Sequence, residues 1–228
     1  NGGTPGIQNS IYNNTPDTQK PTVINREVTL PSTLTFTFSE RVDSLSLVNA
    51  VFASNPSLTI NTRVISGAYP TSFSILFNEV INDGILYEYT LENFYDCSGN
   101  ANSDTGTFVL PQIPDFGDVI INEFMVKPSP SFGLPEIQYV ELYNRSNKYL
   151  NVNTWLLKDN SSYGKIQNGW LYPGEYLVLV PTGGKADYPN ATEVTSWAQL
   201  NITGDEIHLM RSDSLILDEL TYTDAWYK

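Results

Sequence analysis

Residues 33–38, Thr33-Leu34-Thr35-Phe36-Thr37-Phe38, alternate polar and apolar side chains at every step. A period of two puts the apolar side chains on one face of an extended chain and the threonines on the other, the mark of a strand with one buried and one wet face. The alternation returns in Leu58-Thr59-Ile60-Asn61-Thr62-Arg63-Val64, in Ser72-Phe73-Ser74-Ile75-Leu76-Phe77 and in Ile85-Leu86-Tyr87-Glu88-Tyr89-Thr90-Leu91. Turn clusters separate these runs: Ser66-Gly67, Asn82-Asp83-Gly84 and Ser98-Gly99-Asn100. Short strands at such intervals predict antiparallel sheets closed into a sandwich or barrel.

A second series follows in residues 119–126, 137–143, 155–158, 176–180, 206–210 and 215–222, with turns at 151–153, 172–175, 182–184 and 203–205. Between the two series stands Pro111-Gln112-Ile113-Pro114-Asp115-Phe116-Gly117. Two prolines in so short a stretch read as a stiff boundary between two domains. Residues 1–20, rich in Gly, Asn, Thr and Pro, read as a linker or tail.

Composition agrees. The chain has 228 residues, of which 40% are hydrophobic but only 16% charged, with 22 Asn, 21 Thr and 20 Ser supplying neutral polarity. Scarce helix formers and abundant β-branched and aromatic residues disfavour an all-α protein. No apolar run approaches the roughly 20 residues of a membrane helix, so membrane insertion is not expected. The net charge of −13 is spread evenly: residues 1–115 carry 11 acids and 4 bases, residues 116–228 carry 14 and 8. Neither half has the basic stripe that nucleic acid requires. One cysteine, Cys97, excludes an internal disulfide and reads as a buried hydrophobe. The five Asn-x-Ser/Thr sequons, at Asn13, Asn144, Asn160, Asn190 and Asn201, are close to what chance predicts in so Asn-rich a chain.

Six segments of the second series carry a resemblance. Ile120-Ile121-Asn122-Glu123-Phe124, Tyr139-Val140-Glu141-Leu142-Tyr143-Asn144 and Trp155-Leu156-Leu157-Lys158-Asp159 are followed by residues 171–179, Gly204-Asp205-Glu206-Ile207-His208-Leu209 and Leu217-Asp218-Glu219-Leu220-Thr221-Tyr222. In this order they resemble a lamin tail domain, which implies an immunoglobulin-like fold. The resemblance also implies kinship with bacterial secreted and surface proteins, often attached to hydrolases. Ile137-Gln138 departs from the family, where many members have an acidic pair. The first series, through Pro21-Thr22-Val23, residues 34–43 and Tyr87 to Asn100, is similar to bacterial Ig-like domains of S-layer and other surface proteins. Gly2 to Ser10 resembles the stretch that closes bacterial lamin tail domains, which implies an earlier such unit in a longer parent. The expected fold class is therefore all-β: two tandem immunoglobulin-like β-sandwich domains joined by a short Pro-containing linker. The expected limits are 1–20 for the linker or the end of a preceding lamin tail unit, 21–112 for the Ig-like domain, 113–117 for the linker and 118–228 for the lamin tail domain.

Few residues suggest chemistry. His208 is the lone histidine and lies in an apparent strand, with no nucleophile turn to serve. One His and one Cys rule out a zinc site built from several such ligands. Glu123 and Glu141 can perform acid/base work if they face a cleft about 5 to 10 Å apart; the favoured reading is that they accept backbone or tyrosine hydrogen bonds beside a sheet. Asp218 and Glu219 are adjacent in a strand and point to opposite faces. Asp96 to Asp104 is the best calcium candidate, against an Asx-turn in which Gly99 takes a positive φ. Trp170, Tyr172, Tyr188 and Trp197 lie near loops, where they either stack on sugar rings or close the ends of the sandwich.

The expectation is a module that is not an enzyme, with no catalytic, cofactor-binding or metal residue assigned and no cofactor. It is a structural, spacer or adhesion module of a bacterial secreted or cell-surface multidomain protein; the alternative is a glycan- or partner-binding accessory module of a secreted hydrolase. The expected partners are a protein or glycan and the flanking domains of the parent, and the expected location is extracellular or at the cell surface, associated with the outer membrane. A nuclear lamin's chromatin contact is argued against by the net negative charge of residues 116–228.

Overall fold

The computed structural model describes residues 15–130 and 133–227. The expectation of an earlier lamin tail unit rests on residues 2–10, outside those described. The chain divides into two compact units, Asn1–Val109 and Leu110–Lys228.

Among the described residues the first unit has seven strands: β1 (Val23–Thr29), β2 (Thr33–Phe38), β3 (Val51–Asn55), β4 (Ile60–Ile65), β5 (Ser72–Phe77), β6 (Tyr87–Tyr95) and β7 (Ala101–Phe108); the four alternating runs become β2, β4, β5 and β6, while β1, β3 and β7 are not read from the sequence. They form two antiparallel sheets, ordered β1-β2-β5-β4 and β3-β6-β7. Leu34, Phe36 and Phe38 of β2 are fully or almost fully buried, as are Phe73, Ile75 and Phe77 of β5. Across the sandwich they meet β3 and β6: Phe36 and Tyr89 lie 5.2 Å apart, Phe38 and Phe94 5.2 Å, and Phe52 and Phe77 5.4 Å. Each such aromatic pair adds about 0.5–1.5 kcal/mol beyond its buried area.

The open side of this sandwich is fastened by polar groups. Arg26 on β1 donates to the Tyr89 hydroxyl and pairs with Asp104 of β7 at 2.9 Å, and Tyr89 donates to the same carboxylate. Burial works against the Arg26 cation, but Asp104 and Tyr89 outweigh it and hold the guanidinium's pKa above its ordinary value. Burial and the bond to Asp104 push the Tyr89 phenol up as well. Gly106 faces Tyr89 across the ladder, where an added Cβ would lie 3.2 Å from the Arg26 guanidinium carbon.

A short helix, α1 (Ser44–Asn49), lies outside the strand pattern read from the sequence. Asp43 caps it, accepting from the amides of Leu45 (2.8 Å) and Ser46 (3.1 Å). Arg63 of β4 collects the carbonyls at its far end, those of Leu47, Val48 and Ala50, in place of a conventional C-cap.

Among the described residues the second unit contains ten strands: β8 (Val119–Met125), β9 (Tyr139–Asn144), β10 (Leu150–Asn151), β11 (Leu156–Lys158), β12 (Tyr163–Ile166), β13 (Trp170–Leu171), β14 (Tyr176–Pro181), β15 (Thr192–Thr195), β16 (Gly204–Met210) and β17 (Ile216–Thr223). Eight of them form one sheet, ordered β17-β16-β11-β12-β15-β14-β9-β8, while β10 and β13 make a ribbon. The last strand returns to the first: the Ile121 amide donates to Asp218 at 2.7 Å and the Gly117 amide to the Leu217 carbonyl at 2.7 Å. The two layers of this sandwich are thus drawn from one sheet curled around a single core that includes Val140, Leu142, Leu157, Ile207, Leu209 and Leu217. Residues 112–118 hydrogen-bond into this unit: Gln112 to the Tyr149 carbonyl, Arg145 to the Gly117 carbonyl, and Lys148 to Asp115 and Asp118 at 2.6 Å each.

Alternation alone does not mark β10, β12, β13 and β15, which have only two to four residues each. Gly164 further blurs β12, yet the packing requires it. An added Cβ there would lie 2.4 Å from Val194 Cγ1 and 2.7 Å from the Thr195 carbonyl. Replacing Gly164 by Ala is expected to destabilise the second unit by about 1–3 kcal/mol, as overpacking does. Scanning calorimetry should show that unit's transition moving down while the first unit's stays in place.

Candidate functional site

A register shift in β8 between Ile121 and Glu123 makes Glu123 and Glu141 cross-strand partners. Both carboxylates are already engaged: Glu123 accepts from the Tyr139 hydroxyl, and Glu141 accepts from Asn122 Nδ2 at 2.8 Å. Burial, then the bond to Glu123, pushes the Tyr139 phenol above its ordinary pKa. Glu123 is exposed and Glu141 half-buried, on the outer face of the sheet beside the small cluster of Tyr139, Val180 and Ala191. Acid/base work needs a pair directed into an enclosed space, whereas these two carboxylates brace a tyrosine and an asparagine.

His208 stands on the outer face of β16 between two acids, with Nε2 3.4 Å from Glu206 and Nδ1 3.2 Å from Glu219. Asp218, its side chain on the other face of β17, reaches the Ile121 amide. The opposite orientations expected of Asp218 and Glu219 are those observed.

The run from Asp96 to Asp104 does not gather into one ligand set. Asp104 belongs to the Arg26–Tyr89 group. Asp96 is 1% exposed and accepts from the amides of Ser98 and Asn100 and from Asn100 Nδ2, each at 2.8 Å, while Gly99 turns the chain at φ +88°. This is the Asx-turn reading. The same carboxylate lies close to Asp17 and Glu40, and one oxygen of each falls within 4.8 Å of the others. Three carboxylates carry six oxygens, and both oxygens of Asp96 already accept hydrogen bonds from the turn. Cys97, expected to be buried, is exposed, because it occupies the tip of this turn.

The four candidate aromatic residues separate. Trp170 and Tyr172 stay together, 6.1 Å apart on the β10–β13 ribbon, and Tyr149 joins them 5.3 Å from Tyr172. Tyr188 packs 5.7 Å from Tyr139, and its hydroxyl is buried without a partner among the described residues. Trp197 turns inward and donates from Nε1 to Gln138 at 3.1 Å.

Gln138, seen in the sequence only as a departure from an acidic pair, is a structural hub. Its Nε2 donates to the carbonyls of Val126 and Leu200, both at 2.8 Å, and its Oε1 accepts from Trp197 and from the Leu200 amide. An acid here would present a lone pair to two carbonyls; the amide satisfies all four positions. The Asn144 sequon is structural too: the side chain is fully buried and donates to the Lys148 and Leu171 carbonyls.

The acidic group around Asp96 gives the first unit a defined pH response. Burial raises the Asp96 pKa, but the bonds from Asn100, Ser98 and Gly99 outweigh it and leave the group below its ordinary value. Glu40 is displaced upward by burial and by Asp17 and Asp96. A lowered carboxylate contributes stability above its unfolded pKa that is lost as pH falls through the folded value; a raised one acts with the opposite sign. Denaturant midpoints measured from about pH 5 down to about pH 2 should show a shallower acid loss for Asp96→Asn and a steeper one for Glu40→Gln.

Comparison with known proteins agrees with this geometry in the second unit. No curated protein matches the chain. Among solved structures, the crystal structure of the N-terminal part of the bacterial S-layer protein SbsC aligns at 12% identity and a TM-score of 0.34, covering 90% of this chain and 44% of that one. The crystal structure of the S-layer protein rSbsC(31-844) aligns at 9% identity and a TM-score of 0.37, covering 90% and 40%. The chain therefore spans less than half the length of either. Residues 112–224, nearly the whole second unit with the segment that leads into it, match the family model described as Lamin Tail Domain.

Proposed function

We propose that the chain is a non-catalytic structural, spacer or adhesion module of a bacterial secreted or cell-surface multidomain protein. The observation that carries this reading is how the candidate chemical groups are used. Glu123, Glu141, Asp96, Asp104 and Asp218 each accept a hydrogen bond from within their own unit. His208 is held between two acids on a sheet face. The lamin tail match supports the reading for the second unit, and the Ig-like resemblance of residues 21–112 extends it to the first. An extracellular location at the bacterial surface belongs to the same proposal.

A second reading, a glycan- or partner-binding accessory module attached to a hydrolase, is favoured by the group of Trp170, Tyr172 and Tyr149. Trp170 is 40% exposed on a short ribbon, the kind of ring a sugar face can stack on.

A panel of ester, phosphodiester and glycoside substrates tests the main reading. The wild-type chain is expected to stay at the blank rate on all of them. Turnover that disappears in a Glu123→Gln/Glu141→Gln variant would overturn it.

A further inference from the structure

The outer face of β11, β12 and β16 carries a depression of about 460 Å³. Leu156 and Met210, cross-strand partners, form its floor, and Lys158, Lys165 and Tyr163 rise around it. Thr154, Ser212 and Ser214 add hydroxyls. In a chain with 25 acids and 12 bases, this lining holds two lysines and no carboxylate. Neither lysine forms an ion pair among the described residues, so taking an anionic partner breaks no existing bridge. Glu206 and Glu219 flank His208, the cross-strand neighbour of Lys158, and Asp213, between the lining residues Ser212 and Ser214, is paired with Arg211.

A second depression, of about 320 Å³, shares Ser212 with the first and is lined by Gln112, Asn151, Asn153 and Arg211 beside Trp155. Its chemistry is neutral, because Arg211 is paired with Asp213 at 2.5 Å. Gln112 and Asn151 use their side-chain oxygens to accept from the Tyr149 and Asn153 amides. Their NH₂ groups have no protein partner among the described residues.

We propose that the two abutting depressions form one site for a segment of acidic polysaccharide. A uronate carboxylate sits on Lys158 and Lys165, its ring lies on Tyr163 and the aliphatic floor, and the hydroxyls of the next sugar meet Gln112, Asn151 and Asn153. Charge complementarity inside the depression selects the anion, because Lys158 and Lys165 face it and no carboxylate does; the net negative charge of the rest of the unit works against a polyanion, so the contact depends on these two ammonium groups. The neutral amides select a sugar over an acidic peptide. A peptide's carboxylates find cations in one depression only, whereas a chain that presents carboxylate and hydroxyls together uses both. This inference rests on the reading of the second unit as a contact module and names the chemistry of that contact.

Isothermal titration of the intact chain with an oligogalacturonate tests it, with a cello-oligosaccharide and polyglutamate as controls. The oligogalacturonate is expected to bind and the neutral sugar not to. Lys158→Gln/Lys165→Gln should weaken binding roughly tenfold or more, as loss of charge-assisted contacts does. Asn153→Ala should weaken the uronate alone. These exposed or half-exposed positions should leave the melting temperature unchanged. No uronate binding, binding indifferent to the lysines, or polyglutamate binding equal to that of the sugar would overturn the site. Any of these results leaves the non-catalytic reading standing, since only turnover in the substrate panel removes it.

Discussion

A strand with alternating side chains has one face to bury, and both units are built by meeting that requirement. The first meets it with two separate sheets, whose aromatic rings interlock across the gap. The second meets it with one long sheet that curls until β17 comes back to β8. Every other feature follows from the need to close those layers without leaving buried polar groups unpaired.

Closure is where polar residues enter the interior. Arg26, Tyr89 and Asp104 join a strand of one sheet to strands of the other, and each satisfies the other two. Gln138 does the same for the second unit, linking the end of β8, the Trp197 ring and the Leu200 backbone through four bonds. A network that is fully satisfied specifies one arrangement, whereas a half-satisfied one would cost more than an apolar core. The proposed contact site draws on what closure leaves over: side chains on the wet faces, with no structural partner to keep.

Much of the fold was legible in the residues. Thr33 to Phe38 and Ser72 to Phe77 read directly as strands, because period-two alternation survives any rearrangement of the chain around it; that they are neighbours was not legible. The short strands β10, β12, β13 and β15 were not legible, since two to four residues cannot display a period and Gly164 interrupts the pattern. The helix α1 escaped as well. Its signals are a cap at Asp43 and an Arg63 contact that comes from a strand eleven residues beyond its end. Among the candidate residues, Asp218 and Glu219 behave as strand geometry dictates, while Trp170 and Tyr172 came together and Tyr188 and Trp197 did not.

The sequence by itself determined what is local: strand periodicity, the turns, the acidic balance, and the family pattern in residues 112–224. Each of these depends on neighbours within a few positions. Tertiary structure alone decided the partners of the polar side chains, because hydrogen-bonding choices are made between residues far apart in the chain. Asp104 and Arg26 are 78 positions apart, and Gln138 and Leu200 are 62 apart. The same holds for Lys158 and Lys165, ordinary surface lysines in the sequence. They become walls of one depression only because β11 pairs with β12 on one side and β16 on the other.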